Sequence, residues 1–249
     1  MKLIKHCRTP RMKSAVLIEG LPGIGNVARI CADYLIDKLK ARKIFSLYST
    51  TLPNYIFIDE DNFAEMPCIE FYHAFRGDKD LVFVVGDVQP MDDSKSHELA
   101  AEILGVCEKL GVKTIITLGG IGLKKEAAKI KVHAAVTDES FIKDLKKCGA
   151  VFEGNRTVSV IVGAAGILLG WGQVDGLKGF SLLAETQLNP GHVGIRPARQ
   201  VLKVLLKYLD VKVSLAGLDK EIKEFEKFSK GKMRALKRTL PKKNLQYIG

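Results

Sequence analysis

The side chains Glu19, Asp87, Gln89, Glu185, His192 and Arg196 fall at or just beyond the C-terminal ends of apolar runs that read as strands. In open α/β sheets that is where ligands bind. Glu185 and His192 are of the right types for a general acid and base, and Arg196 for holding an anion. Their spacing is diagnostic of no reaction, and the sequence has no G-x-S-x-G elbow, HExxH or Cys–His signature. The plainer reading pairs Glu185 with a neighbouring base or helix end and leaves His192 on an exposed loop. No catalytic residue is assigned. Five cysteines, Cys7, Cys31, Cys68, Cys107 and Cys148, and five histidines are scattered without ligand spacing. Reduced thiols, no metal and no cofactor are therefore expected.

The stretch that must position any strand-end chemistry is 15–28. Ala15 to Ile18 reads as a buried strand, Gly20 to Gly25 as a glycine loop, and from Val27 the apolar period becomes helical, with Asn26 as a plausible N-cap. A phosphate-binding loop would need Lys and Ser/Thr after Gly25, where Asn26 and Val27 stand. The dinucleotide pattern fits Gly23-Ile24-Gly25-Asn26-Val27-Ala28 better, but the candidate second strand, 44–48, runs into Ser49-Thr50-Thr51 with no ribose acid. Pro22 also removes an amide. The loop is read as a device for tight strand–helix packing.

Further along, apolar runs at 44–48, 55–58, 68–74, 81–85, 114–118 and 132–137 read as strands, with 59–62 as a polar connection. Leu81 to Val85 is apolar on both faces, as a parallel strand between helix layers is. Amphipathic or small-residue helices are expected at 94–110, 138–147, 162–172 and 197–206, with a strand at 179–186. The alternation is βαβα, so the sheet should be mainly parallel at its centre. Apolar runs are too short to span a bilayer, and the N-terminus lacks a signal-peptide core. A cytoplasmic protein is expected.

The net charge of +11 is unevenly spread. Lys230, Lys232, Arg234, Lys237, Arg238, Lys242 and Lys243 fall within fourteen residues that contain no acid. Such a segment can be a solvated tail or can approach nucleic acid or an acidic protein surface. Before it, Leu218, Ile222, Phe225 and Phe228 share one face of a short amphipathic helix. After Pro241 the chain closes with the apolar and aromatic stretch Leu245-Gln246-Tyr247-Ile248-Gly249.

Gly20-Leu21-Pro22-Gly23-Ile24-Gly25-Asn26-Val27, followed by an Ala/Tyr/Leu-rich helix, resembles the opening of the PAC2 family, the archaeal and bacterial relatives of the eukaryotic proteasome assembly chaperones. The glycine-rich helix at 162–172, the leucine-rich strand ending at Glu185-Thr186, the loop Asn189-Pro190-Gly191-His192 and the helix from Pro197 are similar to the same family, so the resemblance covers roughly residues 12–212. It implies an open, mainly parallel α/β/α sandwich like that of purine nucleoside phosphorylases, with residues 1–212 as core and 213–249 as an amphipathic helix and basic tail. It also implies a homo-oligomer without catalysis that engages proteasome α-subunits or the 20S particle. Proteasome activators and several assembly chaperones dock a C-terminal tip with a penultimate tyrosine. The contact is therefore assigned to Leu245, Gln246, Tyr247, Ile248 and the Gly249 carboxylate, with Lys242 and Lys243 steering. Here the tyrosine is third from the end and follows Gln246 rather than a hydrophobic residue. Two other readings stay open: a nucleoside- or nucleotide-handling enzyme using the strand-end acids, and a nucleic-acid-binding protein using the basic tail. The tail has no interleaved aromatic residues, which speaks against the second.

Overall fold

The run Leu81–Val85 is buried throughout and lies inside an eight-stranded sheet, as its two apolar faces require. The computed structural model describes residues 1–9, 12, 14–76, 78–125, 127–153, 159–189 and 192–223. The strands are β1 (Lys2–Lys5), β2 (Ala15–Gly20), β3 (Arg42–Tyr48), β4 (Phe57–Ile58), β5 (Ala64–Glu65), β6 (Ile69–Arg76), β7 (Lys79–Gly86), β8 (Val112–Leu123), β9 (Val132–Val136) and β10 (Lys178–Gln187). The helices are α1 (Val27–Leu39), α2 (Asp93–Lys109), α3 (Ser140–Cys148), α4 (Ala164–Val174) and α5 (Ile195–Leu209). Sheet order is β1-β3-β6-β7-β2-β8-β10-β9. The central four, β7, β2, β8 and β10, are parallel. The flanking strands run antiparallel, β6 to β7, β3 to β6, β1 to β3, and β9 to β10.

Alternation along the central strands separates two helix layers. Leu17, Leu21 and Ile115 share a core with Leu99 and Ile103 of α2 and Leu168 of α4. On the other face, Gly20 lies against Ala28 and Ala32 of α1. Phe180 there packs edge-on to Phe141 of α3 and Tyr208 of α5, with centroids 5.3 and 4.8 Å apart. The fold is therefore the expected α/β/α arrangement, its parallel strands confined to the centre.

Two local expectations change, and one strand appears that the sequence reading did not include. Asn26 occupies the cap position of α1, but its backbone is left-handed (φ 54°) and its side chain makes no capping bond. Side-chain capping needs an extended cap residue, and the tight turn here does not supply one. Residues 59–62 do not simply connect two sheet strands: β4 and β5 form a separate two-stranded hairpin around them. The N-terminal β1 pairs with β3, and its four residues are too short to show a period in sequence.

All five cysteines are free, and among the described residues no helix is long and apolar enough to cross a membrane. The chain divides into two compact units, 1–213 and 214–249. In the second, residues 216–223 are helical. The remainder of the amphipathic stretch, and the assigned contact residues Lys242, Lys243, Leu245, Gln246, Tyr247, Ile248 and Gly249, lie outside the described residues.

Candidate functional site

The central strand β2 ends on Glu19-Gly20, with β7 and β8 pairing on either side of it. Alternation turns Glu19 away from α1, and its side chain is 1% exposed. Its Oε1 accepts the Leu21 N–H at 2.8 Å and its Oε2 the Leu118 N–H at 3.4 Å. The carboxyl thus ties the start of the glycine loop to the neighbouring strand. Burial pushes it up from 4.5 to about 7, against the downward pull of those two amides. It borders a cavity of about 280 Å³ at the carboxyl ends of β2, β8 and β10, walled by Leu21, Ile24, Leu118, Ile121, Ile161 and Leu183. Among the described residues Glu19 is the one ionisable side chain in that lining.

The glycine loop forms the cavity's rim, and its groups are spent on packing. Gly25 has φ +63°, and a Cβ there would stand 2.8 Å from Thr186 Oγ1. Its carbonyl accepts the Gly194 N–H at 2.7 Å. A Cβ on Gly120 of β8 would lie 2.4 Å from the Ile24 carbonyl oxygen, so only glycine lets loop and strand meet. Gln89 clamps the other side: its amide donates to the Pro22 carbonyl and accepts the Ala164 N–H at 3.0 Å. A phosphate would find no basic residue in this lining among the described residues.

The remaining strand-end candidates do not converge. Asp87 pairs with Arg29 of α1 at 3.1 Å, and Arg29 also holds Asp33 at 2.7 Å. Glu185 accepts the Lys131 N–H at 3.0 Å and lies 3.4 Å from His133 Nε2. Glu153 joins the same cluster, 2.7 Å from Lys131 Nζ and 3.9 Å from His133 Nδ1. No hydrogen bond joins Glu185 to His192, whose Nε2 is buried without a partner among the described residues. His133 was invisible as a partner because antiparallel register alone brings β9 beside β10, Leu183 opposite His133. Among the described residues no cluster of three or more His, Cys, Asp or Glu could hold a metal.

A second surface feature is the β4–β5 hairpin. Tyr55, Ile56, Phe57, Ile58, Phe63 and Met66 are all exposed on it. Apolar clusters of this kind mark contact surfaces. The sequence signal was available in the unbroken run Tyr55 to Ile58.

The sequence profile of the PAC2 family matches residues 17–230. The chain is similar to a Pyrococcus furiosus protein, PbaB, described as an archaeal proteasome activator: 33% identity, TM-score 0.86, covering 92% of this chain and 97% of that one. It is also similar to P. furiosus PbaA, described as an archaeal homologue of proteasome-assembly chaperone, at 28% identity and TM-score 0.73 over 91% of this chain and 93% of that one. The Methanocaldococcus jannaschii protein MJ1210 is 32% identical over 247 residues, 96% of this chain and 93% of its own length. With a family profile spanning most of its length and a full-length relative at that identity, the chain belongs to the PAC2 family.

Proposed function

We propose that this protein binds the proteasome, engaging α-subunits or the 20S particle as an activator or assembly chaperone, through its segment 241–249 and without catalysis. The observation that carries this reading is its similarity, over nearly its whole length, to a protein described as a proteasome activator. Two features support it. The strand-end candidates are dispersed, Asp87 on Arg29 and Glu185 on His133, and Glu185 is not hydrogen-bonded to His192. The segment combines Lys242 and Lys243 with Leu245, Tyr247 and Ile248. The lysines steer towards an acidic surface, which sets the on-rate and weakens with salt; the apolar residues fill a pocket. A second copy of the chain is proposed as a further partner. The exposed hairpin side chains are the surface available to cover.

The test is binding to purified 20S particles with and without residues 245–249. Deletion, or Tyr247→Ala, is expected to abolish binding and leave secondary structure and oligomeric state unchanged. Reversing Lys242 and Lys243 is expected to slow association without removing it. Equal binding by the truncated protein overturns the tail assignment. Full-length protein that ignores the 20S particle but binds RNA with steep salt dependence overturns the function.

A further inference from the structure

We propose that the cavity bordered by Glu19 is a binding site for a small planar organic cation, of the amidinium, guanidinium or protonated amino-heterocycle class, held by its N–H groups on the Glu19 carboxylate. The site lies at the carboxyl ends of the central parallel strands, where the chain leaves β2 with neighbours on both sides. That is the place in an open α/β sheet where a ligand crevice forms.

The chemistry follows from the walls. The cavity is about 280 Å³, mainly apolar, with a single acid among the described residues. A phosphate or carboxylate would meet no countercharge among the described residues. A metal ion would meet one carboxylate, and no described cluster completes a ligand set. An apolar body with an N–H-rich positive edge meets both the walls and the acid. Glu19 has the capacity: two backbone amides use one acceptor site on each oxygen, and a carboxylate offers about four in all. Two are left unoccupied among the described residues.

Among the described residues the acid's surroundings supply no rival cation. In register beside it stand Val84 on β7 and Thr117 on β8, the latter with a buried hydroxyl that lacks a partner among the described residues. The Gln89 amide is committed to Pro22 and Ala164. From α1, Ala28 reaches the cavity, and Arg29 is turned to Asp33 and Asp87. From α4 the cavity receives Ala165. Burial alone holds the Glu19 carboxyl up at about 7. A bound cation would release that proton and take up the place of the missing countercharge. Affinity for the cation therefore increases with pH, by about tenfold between about pH 6 and about pH 8.

The probe is benzamidine, compared with its neutral analogue benzamide and its anionic analogue benzoate, titrated into the full-length protein and followed by amide chemical shifts. Benzamidine is expected to shift residues around Glu19 and Gly119, to bind more tightly at the higher pH by that tenfold factor, and to outcompete both analogues. Glu19→Gln is expected to abolish the pH dependence and the preference for the cation. Ala165→Leu, which fills the cavity without touching charge, is expected to abolish binding of the probe. A purely structural Glu19 predicts otherwise: no shifts at 10 mM benzamidine, equal binding of benzoate, or binding unaffected by either substitution. Any of these results overturns the proposal. None bears on 20S binding by the 241–249 segment, which is measured separately.

Discussion

The β2–β8 end and the β4–β5 hairpin have opposite polarities to those their settings would lead one to expect. At the strand end a carboxyl is sealed among leucines and isoleucines, 1% exposed. On the hairpin, Ile58 and Phe63 stand 70% and 69% exposed. Both arrangements carry a free-energy penalty in the isolated chain, one from desolvating an acid and the other from wetting apolar surface. The acid is held by two backbone amides, of Leu21 and Leu118, while the hairpin side chains stand in water. What they share is availability: each would gain from a partner that the chain alone does not supply. They differ in the partner proposed for each, a small cation at the enclosed site and a protein surface at the open one.

The sharpest way to break the contrast is to disturb the packing that encloses Glu19. Gly120→Val places a side chain where the Ile24 carbonyl already lies, 2.4 Å from the new Cβ. The loop cannot yield without pulling Gly25 off Thr186, so destabilisation of about 3 kcal/mol is expected in urea unfolding.

The next effect reads the buried acid itself. The folded-state value of Glu19 is about 7 against 4.5 for the unsolicited group, so between those values the unfolded chain holds fewer protons than the folded one. The penalty is absent below about pH 4.5, grows with rising pH, and is fully developed above about 7. Stability should therefore fall by up to about 3 kcal/mol across that window. Subtracting the profile of Glu19→Gln isolates this contribution, because the substituted amide does not titrate. A difference profile that is flat from pH 4.5 to 8 would show that water reaches the carboxyl.

The smallest stability effect belongs to the hairpin. Ile58→Ser with Phe63→Ser removes exposed apolar surface and no buried contact, so unfolding free energy should change by no more than about 0.5 kcal/mol per site. Self-association, followed by light scattering at micromolar concentration, should weaken markedly. A substituted protein that associates as strongly as the parent assigns self-association to some other surface.

Much of this molecule was legible in its residues. Leu81–Val85 announced a strand buried on both faces, the 3.6-residue stripe from Leu99 to Leu110 announced α2, and Gly20 to Gly25 announced a loop demanded by close packing. Periodicity is a local property, and each of these signals lies within one element. The motifs at 20–27 and 162–186 also carried the family, because small residues at fixed places are the imprint of strand–helix contacts. The tertiary structure alone decided the rest. Glu19 stood out as a strand-end acid, but its enclosure depends on Leu118, ninety-nine positions away, and on walls from four separate segments. His133 became the neighbour of Glu185 only when β9 reversed direction against β10. The antiparallel pairs β1–β3 and β9–β10 join strands separated in the chain by other elements, and the short strands β1, β4 and β5 have too few residues to show a period. Local order is encoded within a turn or two of chain, whereas burial, register and the pKa of an enclosed acid are set by distant segments that meet only in the folded protein.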